Sequence, residues 1–246
     1  MKKIIYTTLL VFVFCLTAAH AGILDNAIKS IGSPASISSD KGPDKSMDND
    51  TAVSGLKEAL SIGTENAVKS VSQTDGYFKN KMIRILMPGK IQKVADVLSK
   101  VGYQKEVDDF VLSMNRAAEK AAPKAASYFV GAIKEMSVED AGGILKGGDT
   151  AATEFFRKKT NDKIYEAFRP IISSSLSEVG ATNAYKNMMT RYESIPFMDK
   201  QSLDLDNYVT NKSLDGLFYM VGQEEKKIRT DPAAQVTDLL KTVFGK

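Results

Sequence analysis

From Thr51 onward, apolar residues recur along this chain at three- and four-residue intervals almost without interruption. Val53, Leu56, Leu60, Ala67 and Val71 share one face of a predicted helix, and Ile91, Val94, Ala95, Leu98 and Val101 share a second face that stops at Gly102. A third pattern runs from Glu106 through Val107, Phe110, Val111, Met114, Ala117, Ala118 and Ala121. Pro123 interrupts it before Phe129, Ala132, Ile133 and Met136 continue it. Proline lacks an amide donor and clashes with the preceding turn, so a kink or two helices are expected there. The alanines imply close helix approach.

Ser137-Val138-Glu139-Asp140 has the form of a capping box, opening a short helix that ends at Gly147-Gly148. Asp149 or Thr150 caps a helix bearing Ala151, Ala152, Phe155 and Phe156. A following helix bears Ile164, Tyr165, Phe168, Ile171, Ile172 and Leu176, with Pro170 as a second kink and Gly180 at its end. Thr182 opens a helix with Tyr185, Met188, Met189 and Tyr192 that closes near Pro196. Leu214, Leu217, Phe218 and Val221 begin another that runs to Arg229. Asp231-Pro232 then caps a last helix whose Val236, Leu239, Leu240 and Val243 face inward. Two stretches alternate instead, Met82 to Met87 and Leu203 to Asp206, and each predicts a short extended segment at most. The expected fold class is all-α: a single multi-helix domain over 51–246 with at most one or two very short extended segments. No tandem period is close enough to indicate a solenoid.

The N-terminal region breaks this pattern. Lys2 and Lys3 lead an apolar run from Leu9 to Leu16 that closes in Ala19-His20-Ala21, the arrangement of a secretory signal peptide over 1–21. The run is too short to span a bilayer, which needs roughly 20 apolar residues. Phe12-Val13-Phe14 before Cys15 is too bulky for a lipid-attachment signal. Cleavage after Ala21 and a periplasmic location are expected, with no transmembrane span in the mature chain. Ile23, Leu24, Ala27, Ile28 and Ile31 then line one side of a short helical segment. It could give peripheral membrane contact through residues 23–31 or dock on a partner, but its shortness favours a turn that docks on its own domain or frays. Gly32 to Asp50, rich in Ser, Asp, Gly and Pro, reads as a disordered linker, so 22–50 separates the signal from the domain.

Cleavage changes the chemistry as well as the address. Of 246 residues, 225 would remain, without the single cysteine and single histidine. The 33 basic residues would fall to 31 against 30 acidic ones, a net charge of +1. Such a surface has no footprint for nucleic acid. No disulfide framework is available, nucleophilic Ser-His or Cys-His catalysis is excluded, and the usual nitrogen and sulfur zinc ligands are missing. No catalytic residue, metal site or cofactor is expected.

The remaining motifs have plain readings. Ser54 and Lys57 are three apart on a helix, but the two further motifs of a penicillin-binding enzyme are missing. Asp48-Asn49-Asp50 fails the EF-hand pattern, with Val53 at the sixth position and no Glu at the twelfth. Glu224 and Glu225 could serve glycan hydrolysis as a carboxylate pair, yet their spacing to Lys227 and Arg229 indicates a solvated, ion-paired helix face. Met188, Met189, Met198 and Met220 could line an adaptable pocket, but core packing is the commoner role. Two polar groupings remain as binding candidates. Asn115, Arg116 and Glu119 sit at the edge of an alanine-rich packing face, where buried polar groups need partners. Asp149, Thr150, Thr153 and Arg157 follow two glycines at a helix N-terminus, a geometry suited to an anion unless the Asp149 carboxylate occupies the donors itself.

Five strings together resemble one family: SMNRAAEKAAP (Ser113 to Pro123), GGDTAATEFFR (Gly147 to Arg157), YVTNKSLDGLF (Tyr208 to Phe218), EEKKIRTDP (Glu224 to Pro232) and DLLKTVFG (Asp238 to Gly245). They are similar to the domain of unknown function 4197 family, exported proteins mostly of Gram-negative bacteria, in order from about Val53 to Gly245. The resemblance implies a single helical domain behind a signal peptide and brings no activity or catalytic residues. The expected function is therefore a non-enzymatic binding or interaction protein of the periplasm or cell envelope, with an envelope protein or an apolar small molecule as partner. The alternative is a carboxylate-based envelope hydrolase acting on glycan.

Overall fold

A computed structural model describes residues 49–178, 180–194, 204–235 and 237–244. The signal-peptide pattern, the segment at 23–31 and most of the linker lie outside them, as do Pro196, Met198, Leu203, Val236 and Gly245. Among the described residues the chain forms nine α-helices and no strand: α1 Asn49–Ser72, α2 Gly89–Lys100, α3 Gln104–Ala121, α4 Ala125–Lys134, α5 Val138–Lys146, α6 Ala151–Glu178, α7 Ala181–Glu193, α8 Leu205–Thr230 and α9 Asp238–Phe244. Short 3-10 turns at Ala122–Lys124 and Pro232–Ala234 join α3 to α4 and follow α8. This is a single all-α domain. None of these helices is long and apolar enough to cross a membrane.

The predicted stripes are the core. Leu56, Leu60, Ala67 and Val71 of α1 are buried, as are Ile91, Val94, Ala95 and Leu98 of α2, while Val101, just past the end of α2, is exposed. Ala117, Ala118 and Ala121 of α3, Ala122 of the 3-10 turn and Ala125 of α4 are fully buried, and α3 packs against both α1 and α6. Pro123 does divide the pattern into two helices, its missing N–H falling in the 3-10 turn between them. The long helices α6 and α8 pack on each other, and α1 packs on α8. At the centre, Phe129 meets Phe156 and Phe218 edge to face, with ring centroids 5.2 and 6.0 Å apart.

Local signals set several helix ends. Ser137 Oγ accepts from the Asp140 N–H, and Asp140 Oδ2 accepts from the Ser137 N–H, completing the capping box. Gly180 takes a left-handed φ of 72° between α6 and α7.

Three expectations change. The helices proposed on either side of residue 160 are one helix, α6, and it runs on through Pro170, which is exposed, so that water can satisfy the carbonyl released by the missing N–H. The alternation ending at Asp206 is a helix start: Asp204 Oδ1 accepts from the Asn207 N–H and caps α8 from Leu205. At Asp231-Pro232 the cap opens a 3-10 turn, with Asp231 Oδ1 accepting from the Ala233 N–H, and α9 begins only at Asp238.

Candidate functional site

The connection from α1 to α2 positions the first candidate cluster. Asp75 leaves α1 at φ 70°, a left-handed conformation that aspartate tolerates better than most residues. Gly76 follows, and a Cβ there would lie 2.5 Å from the Ser70 carbonyl oxygen and 2.7 Å from that of Val71, so only glycine fits. The turn sends Tyr77 into the core, where its hydroxyl donates to the Ser213 carbonyl at 2.7 Å. Burial raises the Tyr77 phenol well above its ordinary value and keeps it a donor.

Glu119 and Arg116 hold that turn from α3. Glu119 Oε1 accepts from the N–H groups of Tyr77 and Phe78 at 3.1 and 3.2 Å, and its Oε2 accepts from Arg116 at 2.6 Å. Arg116 also reaches Asp75 Oδ1 at 2.6 Å. Hydrogen bonds from Lys79 and Arg116 keep the Asp75 carboxyl below its ordinary value of 3.8.

Beyond the turn, the Asn80 side chain accepts from the Met82 N–H, and its carbonyl accepts from the N–H groups of Ile83 and Arg84. The chain then alternates as predicted: Ile83, Ile85 and Met87 are buried, whereas Met82, Arg84 and Leu86 face outward. No neighbouring strand pairs with it among the described residues. Asn115 takes that place. Its Oδ1 accepts from the Ile85 N–H at 2.8 Å, and its Nδ2 donates at 2.8 Å to the carbonyls of Ile85 and Val111. A side-chain amide thus reproduces the donor and acceptor of a partner strand. Asn115, Arg116 and Glu119 are brought together, and all three hold this connection against α3.

Outside the clamped segment lies an open groove of about 400 Å³ against α8, lined by Met82, Ile83, Arg84, Leu86, Tyr208, Lys212, Asp215, Gly216 and Tyr219. Met82 is 68% exposed and Leu86 58%. The Tyr208 hydroxyl donates to the Leu86 carbonyl at 3.0 Å, and partial burial raises its pKa. Gly216 allows close packing underneath, since a Cβ there would meet the Tyr77 ring at 2.6 Å. Arg157 sits behind this wall, 3.7 Å from Asp215 and with its guanidinium carbon 4.5 Å from the Phe218 ring centre.

The second cluster is built around an anion, but that anion belongs to the protein. Glu225 of α8 is buried, and its carboxylate accepts from the N–H groups of Ala152 and Thr153 at 2.9 Å and from the Thr153 hydroxyl at 2.8 Å. Arg229 completes it with donors at 3.0 and 3.1 Å and extends to the Ile144 carbonyl. The N-terminal donors of α6 thus meet Glu225, not the Asp149 carboxylate expected from sequence. Asp149 and Thr150 are exposed, with Thr150 Oγ1 donating to Glu154 Oε1. The pairings of Glu224 with Lys227 and of Glu225 with Arg229 are present, but Glu225 is buried rather than solvated, because it closes the end of α6. Thr153 joins Glu225; Arg157, on the same helix, does not.

Sequence reasoning passed over Met82, Arg84, Leu86, Tyr208 and Tyr219. The alternation at 82–87 held the signal, because its outward phase carries two large apolar side chains. Met188 and Met189 are core, and Met220 is partly buried, its sulfur meeting Asn80 Nδ2 at 3.5 Å. Among the described residues, no group of three or more His, Cys, Asp or Glu side chains is placed to hold a metal.

No curated protein and no solved structure matches the chain. A family model described as "Protein of unknown function (DUF4197)" matches residues 46–245, and the chain belongs to that family.

Proposed function

We propose that this is an exported, non-enzymatic binding protein whose recognition face is the groove at Met82 and Leu86. The observation that carries this reading is the way two exposed apolar side chains are displayed. Burial of each would stabilise the fold by about 1.5–3 kcal/mol. Instead, Asn115, Glu119 and Tyr208 fix the segment so that Ile83, Ile85 and Met87 turn inward and Met82 and Leu86 remain in a groove. Scattered surface apolar residues need no explanation, but here methionine, tyrosine and arginine line one concavity, a composition enriched at recognition surfaces. Export is supported by the Lys2-Lys3, Leu9 to Leu16 and Ala19-His20-Ala21 pattern.

The glycan-hydrolase alternative has no comparable support. Of its pair, Glu225 already takes four donor groups and Glu224 is held by Lys227 and Asn66, so neither carboxylate is left unpaired for acid and base work on a sugar.

Purification from the native host followed by native mass spectrometry tests the proposal. A bound species should accompany the wild-type chain and be lost from the Met82→Ser/Leu86→Ser variant at unchanged melting temperature. An empty wild-type chain, or a species retained by the variant, would contradict it.

A further inference from the structure

The charges in the groove restrict its ligand further, a step that rests on the proposed binding role. Its lining carries two cations and one carboxylate. The carboxylate, Asp215, is shared by Lys212 at 3.4 Å and Arg157 at 3.7 Å. Arg84 differs. Its guanidinium carbon lies 4.3 Å from the centre of the Phe78 ring, and its side chain has no ion pair or hydrogen bond among the described residues. Phe78 is itself held, because Glu119 accepts its backbone N–H. Contact with the ring therefore holds the guanidinium at the groove while leaving its donors for a ligand.

The neighbouring surface narrows the choice again. A compact inorganic anion would pair with Arg84 but leave Met82 and Leu86 in water. A neutral hydrocarbon would cover them but leave Arg84 unpaired. The groove volume of about 400 Å³ suits a small molecule. We propose that the groove binds a single-chain amphiphile with a carboxylate head, an acyl-chain acid taken up from solution. The carboxylate pairs with Arg84 in the two-point geometry that guanidinium favours. The chain lies along Met82, Leu86 and Tyr219.

The test is a titration of the methyl-labelled chain with dodecanoate below its micelle concentration, with dodecanol as the neutral probe. Vesicles of anionic phospholipid form a third arm. Dodecanoate should shift the Met82 and Leu86 methyl signals, and Arg84→Gln should weaken it about tenfold or more, with dodecanol binding and the melting temperature unchanged. Arg84→Lys, which keeps the charge but not the fork, should fall between. Equal dodecanoate affinity in wild type and Arg84→Gln would overturn the head-group assignment. Methyl shifts with vesicles but not with dodecanoate would replace the free acid by a membrane surface. If neither soluble probe binds while Met82→Ser/Leu86→Ser still strips a native species, this inference fails and the binding role stands; if that species is also missing, both fall.

Discussion

Replacing Asn115 with alanine removes the side chain that stands in for a partner strand. Three hydrogen bonds go with it, but they do not count equally. The Val111 carbonyl still receives the backbone N–H four residues on within α3, so its loss costs little. The N–H and carbonyl of Ile85 have no such substitute, and Ile85 is only 1% exposed. Each orphaned buried group costs about 1–3 kcal/mol, which gives roughly 2–6 kcal/mol, with the lower half applying if water enters the space left by the amide. For a domain of this size that corresponds to a fall in Tm of roughly 10 °C, and it is a large share of a total stability of about 5–15 kcal/mol. Urea unfolding followed by circular dichroism gives the free energy, and hydrogen exchange at the Ile85 amide reports the local opening. Asn115→Asp is the informative companion. It retains an acceptor for Ile85 but sets a carboxylate against two carbonyl oxygens, so at neutral pH it should be at least as damaging and should recover in part on acidification. A loss below about 1 kcal/mol for Asn115→Ala, with Ile85 protection unchanged, would refute the role assigned to this residue.

Glu225→Ala should cost about 3–5 kcal/mol by thermal or urea denaturation, because Arg229 and the N-terminal donors of α6 lose a buried acceptor together; Glu225→Gln should fall between it and wild type, and a neutral Glu225→Ala would contradict the closure of α6 by α8. Asp75 gives a pH dependence. Hydrogen bonds from Lys79 and Arg116 lower its folded pKa below 3.8, so its contribution is present above the unfolded value and is lost as pH falls through the folded one. Asp75→Asn should therefore be less stable than wild type at neutral pH, with the gap narrowing in urea titrations carried below pH 3.8, and a gap that widens there would be the wrong sign. Phe156→Ala should lose about 3–5 kcal/mol through the cavity left beside Phe129 and Phe155, as read from the urea midpoint.

The helical framework was legible because it rests on local periodicity and caps. The stripe from Val53 to Val71, the break at Pro123 and the box at Ser137 each depend on residues within a few positions of one another. What could not be read was pairing over long separations. Glu225 lies more than seventy residues from the donors of α6 that it satisfies, and its spacing to Arg229 suits an exposed helix pair equally well. The partners of Asn115 were hidden for the same reason, although its placement on a packing face already demanded some internal partner. The alternation at 82–87 was visible, but whether a strand, a helix or a side chain would pair with it was a question of tertiary structure. The groove depends on that pairing, since the clamp on Ile85, with the Glu119 and Tyr208 contacts, determines which phase of the alternation meets water.

Whether Met82 and Leu86 are displayed for a ligand is read out by the rate of methionine oxidation. Met82, exposed in the purified chain, should oxidise rapidly there, with fully buried Met114 as the slow internal reference. In the cells that produce the protein, a ligand seated on the groove should slow Met82 several-fold while Met114 remains slow. Oxidation of Met82 as fast in those cells as in the purified chain would mean that nothing covers the groove.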